Sequence, residues 1–262
     1  MEYKTIIYEK KNGVAKITLN RPEALNTLNR TMFLEVGQAL EEADKDANVR
    51  VVVITGSGKS FCAGVDLKFS SEELKTLQDQ QDFFRLGNSM VLQRIEGLSK
   101  PVIAAVHGYC LAGGFEIMVS TDLVIAAEDA RIGDQHINFA LFGGGGCVYR
   151  LSLLVGMRKA KEIVLTGKRL SGKEAEQIGL VNLAVPSDKL ESAVEELAAE
   201  LAEKSPVAMR LSKWFINRVS MPDADTKLEL AIMYGLIDAS SEDKEEGFRA
   251  FLEKRQPVFK GR

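Results

Sequence analysis

Short, almost wholly apolar runs alternate with longer amphipathic stretches over the first 190 residues, and the chain then turns helical to its end. Val49–Thr55, Val102–Val106, Leu123–Ala127 and Val181–Val185 are rich in small and β-branched residues, the pattern of short buried strands. Tyr3–Glu9 and Val14–Leu19 read as two further strands joined through Lys11-Asn12-Gly13, a hairpin. A helix is expected from about Thr31 to Asp44, with Met32, Val36, Ala39, Leu40 and Ala43 on one stripe. Ser70 to Gly97 reads as one long helix, polar at first and later carrying Phe83, Phe84, Leu86 and Met90. Its opening, SSEELKTLQDQQD, is either a solvated face or a lid over a substrate. Shorter helices follow at Cys147–Leu154, Lys159–Leu165 and Ser171–Ile178. The tail reads as helices over 190–204, 206–219, 225–239 and 241–253. Strands separated by helices predict an α/β core over residues 1–190, with a helical region over 191–262 suited to subunit packing.

The chemistry concentrates in PVIAAVHGYCLAGGFEIMVSTD, residues 101–122. Here an apolar strand breaks at His107-Gly108, and Ala112-Gly113-Gly114 opens a helix. The first N–H groups of a helix have no partner inside it and sit at the positive end of its dipole. Gly113 can therefore offer a bare N–H to an oxyanion. Glu116 lies one helical turn further, so its carboxylate can share a face with that donor. Acidic residues also favour first helical turns for the dipole alone, so the reading needs a second donor. FCAGVDL, residues 61–67, supplies one: another glycine-broken turn after a buried strand, placing the Val65 N–H near that of Gly113. The neighbouring GSGKS, residues 56–60, lacks the earlier glycine of a phosphate loop and reads as a solvated turn.

Composition narrows the partners. A net charge of -3 over 262 residues argues against general affinity for nucleic acid or membrane surfaces. Cys62, Cys110 and Cys147 form an odd set without metal-ligand spacing, and small buried thiols are common. With no apolar run long enough to cross a bilayer and no leader-like start, a reducing cytoplasm is the expected home. Neither a metal nor a separate cofactor is expected. His107, Trp214 and Phe215 read as structural.

In their order along the chain, ITLNRPEALNTL, SFCAGVDL, PVIAAVHGYCLAGGFE, LTGKRLSGKEAEQIGLVN and FLEKRQPVFKGR resemble the crotonase (enoyl-CoA hydratase/isomerase) superfamily. The resemblance implies a spiral of ββα units, trimers or dimers of trimers, and an acyl-CoA thioester substrate. It places the thioester oxygen between the backbone N–H groups of Val65 and Gly113. It assigns coenzyme A contacts to Ala24 and Leu25, to the turn at Ala63, Asp66 and Leu67, and to Lys260. The alternative for Lys260 is a solvated terminal cation. Two fixed donors would stabilise an enolate by about 3–4 kcal/mol each. Reversible hydration of a 2-enoyl-CoA is the expected reaction, with double-bond isomerisation as alternative and decarboxylation or hydrolysis behind it. A thioester-binding protein without chemistry is the reading from another class, and Glu116 with two donor turns argues against it.

The resemblance breaks at one catalytic position. Family hydratases hold a water between two glutamates, the first matching Glu116. The second belongs to a G-x-P-E segment, which here is Gly133-Asp134-Gln135-His136, so His136 takes the glutamate's place. Three roles stand open: His136 as second acid/base, suited by an ordinary pKa of about 6.5; Glu116 working alone as an isomerase would; or His136 as a polar pocket residue. Asp134 is a reserve acid.

Overall fold

The computed structural model describes residues 3–218, 233, 237 and 240–262, apart from the side chain of residue 251. The helix expected over 225–239 falls outside these residues except at Met233 and Ile237. Strands β1 (Ile6–Lys11) and β2 (Val14–Leu19) form the expected antiparallel hairpin, with Ile6 opposite Leu19 and Lys11 opposite Val14. Asn12 (φ 52°) and Gly13 (φ 79°) make the two-residue loop. Two positive φ values in succession give the primed turn whose twist suits a hairpin.

From β2 outward every pairing in the main sheet is parallel. β3 (Val51–Gly56), β5 (Val102–Val106), β7 (Leu123–Ala127) and β9 (Leu183–Val185) complete six strands in the order β1-β2-β3-β5-β7-β9. A second sheet of three short parallel strands, β4 (Ser60–Cys62), β6 (Tyr109–Leu111) and β8 (Arg131–Gly133), lies beside it. Sequence reading places all three inside turns, because three residues show no periodicity. Each follows a main-sheet strand, so the chain winds as repeated ββα steps, the α/β spiral expected of a crotonase fold.

Helix α1 (Arg30–Lys45) starts at Asn29, whose side chain accepts the Met32 N–H. It buries Met32, Val36, Ala39, Leu40 and Ala43, the predicted stripe. The single helix expected over 70–97 is divided into α2 (Leu67–Glu73), α3 (Leu77–Gly87), a π turn over Asn88–Leu92, and α4 (Gln93–Gly97). The division has a local cause: Thr76 and Asp79 form a reciprocal capping box that starts α3 afresh. Helix α5 (Gly113–Ser120) packs so tightly on β4 that a methyl at Gly114 would lie 2.2 Å from the Cys62 carbonyl oxygen. α6 (Cys147–Thr166) joins two expected helices across a kink at Gly156.

After α7 (Gly172–Gln177), α8 (Leu190–Ala202) lays Leu190, Val194 and Ala198 into the main core. α9 (Pro206–Ile216) and α10 (Glu242–Glu253) follow. Gly58 (φ 72°) turns the GSGKS segment into β4 instead of a helix, so no phosphate loop forms. His107 Nε2 lies 3.2 Å from the Gly58 carbonyl oxygen and ties that turn to the end of β5. Trp214 donates its indole N–H to the Gly97 carbonyl, joining α9 to α4.

Candidate active site

The two glycine turns meet. Leu28 sits in a parallel bridge opposite Val65, donating to the Gly64 carbonyl (2.8 Å) and accepting from Asp66 N–H (2.9 Å). A parallel bridge bonds the residues flanking Val65 to Leu28, so the Val65 N–H itself points to the other side. On that side lies the start of α5: a methyl on Gly64 would be 3.6 Å from Gly113 N, and one on Gly113 would be 3.6 Å from Val65 N. Gly64 has φ 112° and the same methyl would stand 3.0 Å from Ala112 Cβ, so both conformation and space require glycine. Ala112 adopts φ 47°, ψ −117°, a strained shape for a residue with a side chain. That conformation turns the chain from β6 into α5, whose first residue Gly113 lines the cavity together with Ala112.

Glu116 stands one turn along α5. Its Oε1 accepts the Gly145 N–H at 2.6 Å from the loop before α6. Glu116, His136 and Cys147 each place a donor or acceptor atom within 4.8 Å of the others. Burial raises the Glu116 pKa, opposed by the nearby His136 charge and the Gly145 N–H. His136 is raised as well: burial works against its charge, but the hydrogen bond to Asp134 and the Glu116 carboxylate outweigh it. Cys147 is buried, and burial pushes its thiol far up, so it acts as a neutral S–H beside these groups. Cys62 and Cys110 are likewise buried protonated thiols, Cys62 pushed up to about 12.

Glu116, His136 and Cys147 have donor types that can hold a soft divalent metal. Here Glu116 Oε1 and His136 Nδ1 are engaged in hydrogen bonds to Gly145 and Asp134 instead.

A cavity of about 260 Å³ opens in front of this group. Its walls include Ala63, Val65, Leu67, Gly113, Glu116 and His136 among the predicted site residues. Leu74, Gln80, Phe83, Phe84, Asn88 and Leu92, from the segment between α2 and α4, cover it. Most of the polar opening, residues 70–82, is exposed, yet Ser70, Leu74 and Gln80 within it line the pocket together with the later Phe83, Phe84 and Leu92. Leu25 lies just outside, its carbonyl accepting the Ala63 N–H at 3.1 Å. Ala24 ends the 3-10 turn that precedes it. Asp66 caps α2 and pairs with Arg21 at 2.7 Å. Although burial opposes its charge, Arg21 and the capping N–H groups keep the Asp66 carboxyl below the usual range. Lys260 is away from the cavity wall, 59% exposed and 3.7 Å from Glu242.

Two glycine turns and a carboxylate thus share one cavity within a chain of ββα steps. The model of the enoyl-CoA hydratase/isomerase family matches residues 9–262. The chain belongs to that family. The short-chain-enoyl-CoA hydratase of Clostridium acetobutylicum is 40% identical, covering 98% of this chain and 97% of that protein. The crotonyl-CoA hydratase of Syntrophomonas wolfei is 38% identical, covering 99% of each. A solved enoyl-CoA hydratase from Bacillus anthracis superposes with a TM-score of 0.94 at 35% identity, covering 99% of this chain and all of that one.

Within this hydratase/isomerase family frame, sequence reading missed Gly145 and the hydrogen-bonded role of Asp134. A methyl on Gly145 would fall 2.4 Å from Glu116 Oε2, so only glycine leaves the carboxylate its place. From sequence the run Gly143–Gly146 reads as tight packing or an exposed helix N-terminus, and neither reading names what packs there. Arg150 donates to the Gly145 carbonyl at 2.9 Å and pairs with Glu96, holding this loop to α4.

Proposed function

We propose that the chain is an enoyl-CoA hydratase, adding water reversibly across the C2–C3 double bond of a 2-enoyl-CoA thioester. The observation that carries this reading is the apposition of Glu116 and His136 across one cavity that also receives the Val65 and Gly113 turns. An isomerase moving one proton needs a single base, whereas hydration needs one group for the water and another for carbon. The relatives named as hydratases over nearly their whole length support the same reaction.

In this mechanism the thioester oxygen lies between the Val65 and Gly113 N–H groups, each contributing about 3–4 kcal/mol to the enolate. Glu116 takes a proton from water as its oxygen bonds to C3, and the double-bond electrons move onto the thioester oxygen. The enolate then collapses, and C2 takes a proton from the His136 imidazolium. Proton transfer from Glu116 to His136 restores both groups, leaving one water added. Ala63 and Leu67 line the cavity and Leu25 accepts the Ala63 N–H, so these residues with Ala24 and Asp66 would receive the coenzyme A portion, chiefly through main-chain groups. Lys260 would serve the phosphates only after leaving Glu242. Exposed Leu153, Leu154, Met157 and Leu165 on α6 support assembly into trimers or dimers of trimers.

The test is product analysis by mass spectrometry with crotonyl-CoA in deuterated water. The expected result is a gain of one water that falls about 10²–10⁴-fold in both Glu116→Gln and His136→Ala. Double-bond movement without water, lost in Glu116→Gln and kept in His136→Ala, would replace the hydratase by an isomerase.

A further inference from the structure

We infer that Asp134 is the positioning residue that holds His136 with Nδ1 turned into the protein and Nε2 left for the substrate. This inference rests on the hydratase reading and assigns a function to a residue outside the two acid/base groups. Asp134 is 2% exposed and does not line the cavity, whereas His136 does. Its Oδ1 accepts the His136 main-chain N–H at 3.1 Å and lies 2.5 Å from Nδ1 of the ring, a contact an ionised carboxylate can make only as acceptor from an Nδ1–H. Its Oδ2 accepts the Cys147 S–H at 3.5 Å. Both oxygens are therefore engaged by groups of the protein, and the carboxylate has no line to a substrate carbon.

A buried carboxylate on one ring nitrogen selects the tautomer and orientation of an imidazole. It also favours the protonated ring, the state that can deliver a proton to C2. The titratable groups facing the ring are Asp134 from its own turn, Glu116 from α5 and Cys147 from α6. Gly143 leaves room for the arrangement, since a methyl there would lie 2.8 Å from Cys147 Sγ and 3.0 Å from His136 Nδ1. The substitution of histidine for a glutamate is thus compensated locally. The negative charge that the second glutamate would carry sits two residues earlier, behind the ring instead of in the pocket.

The experiment is a double-mutant cycle on crotonyl-CoA hydration with Asp134→Asn, His136→Ala and both together, read as kcat, KM and the pH profile of kcat. Asp134→Asn is expected to lower kcat about 10–100-fold, the range for a partner that orients a functional histidine. KM should stay within about twofold if ground-state binding is unaltered. The alkaline limb should move to lower pH, because the ring loses its neighbouring negative charge. In the His136→Ala background the second change should cost nothing further, since a residue acting through His136 has no other route. Additive losses, or an alkaline limb that does not move, would overturn the inference. Loss of hydration in His136→Ala with unchanged kcat in Asp134→Asn overturns it too, leaving the hydratase reading intact. Full activity in His136→Ala removes the His136 role and this inference together.

Should Asp134→Asn fail to fold, ring nitrogen NMR of the unaltered protein decides. The chain has two histidines, so assignment is simple. A neutral ring protonated at Nδ1 supports the inference, and one protonated at Nε2 overturns it.

Discussion

Two half-buried acids, Glu116 in the first turn of α5 and Asp122 just past its end, stand six residues apart and have opposite fates. Asp122, just past the helix, accepts Lys213 Nζ at 2.8 Å and the Val102 N–H at 2.7 Å. Lys213 sends its other two protons to the carbonyls of Ile95 (2.8 Å) and Lys100 (3.0 Å), so all three donors of the ammonium are used. Burial pushes the carboxyl of Asp122 upward, as it does that of Glu116. A raised pKa therefore does not separate them. The partners do: Asp122 meets a cation pinned on three sides and closed off by α9, whereas Glu116 meets titratable neighbours and an open cavity. Burial with a saturated partner is a clamp; burial with exchangeable protons and space in front is a site.

Breaking the clamp should give the largest effect on folding. Lys213→Ala leaves the Asp122 charge buried and unpaired, at a cost of about 3–5 kcal/mol. The expected record is a lower urea midpoint, with kcat of the folded fraction within about twofold. Adding Asp122→Ala should recover part of the loss, and unchanged stability in Lys213→Ala would mean that the pair is not a clamp.

Gly145→Ala inverts the outcome. Its methyl would collide with the Glu116 carboxylate, and a displacement of about 1 Å costs on the order of 10²-fold in rate. A fall in kcat of that size with a urea midpoint close to that of the unaltered chain separates the site from the clamp. Equal activity would show that Glu116 has slack.

Acid and alkaline limbs sharpen the contrast further. Glu116 must be ionised to accept a proton, so activity should rise as pH passes its pKa, which lies above the ordinary 4.5. His136 must be protonated to donate, so activity should fall as pH passes its pKa, above the ordinary 6.5. A bell-shaped kcat profile that loses its alkaline limb in His136→Ala is expected, and a single limb in the unaltered chain would contradict two-group chemistry.

The smallest effect belongs to Ala112. At φ 47°, ψ −117° a glycine is free of strain that an alanine bears, so Ala112→Gly should be neutral or stabilising by about 1 kcal/mol. A loss of about that size, as for an ordinary helical position, would show that the turn is unstrained.

Much of this was legible beforehand because it is local. The α1 stripe, the Asn12-Gly13 turn and the fully apolar β5 declare themselves through periodicity or turn chemistry. Glycine before a helix and an acid one turn later marked Gly113 and Glu116. The three strands of the second sheet escaped because β4, β6 and β8 are too short for a pattern and depend on one another for pairing. The break within 70–97 escaped because a capping box at Thr76 lies inside a run of good helix formers.

By itself the sequence determined the longer strands of the main sheet, the stripe of α1, the two glycine turns, and the exchange of a glutamate for His136. Whether that histidine had a partner was decided only in three dimensions. Asp134 reaches it through one tight turn, Glu116 comes from α5 and Cys147 from α6, the last two 31 positions apart in the chain. Hydrogen bonds and charge act over a few ångströms of space, and separation along the chain does not report that distance.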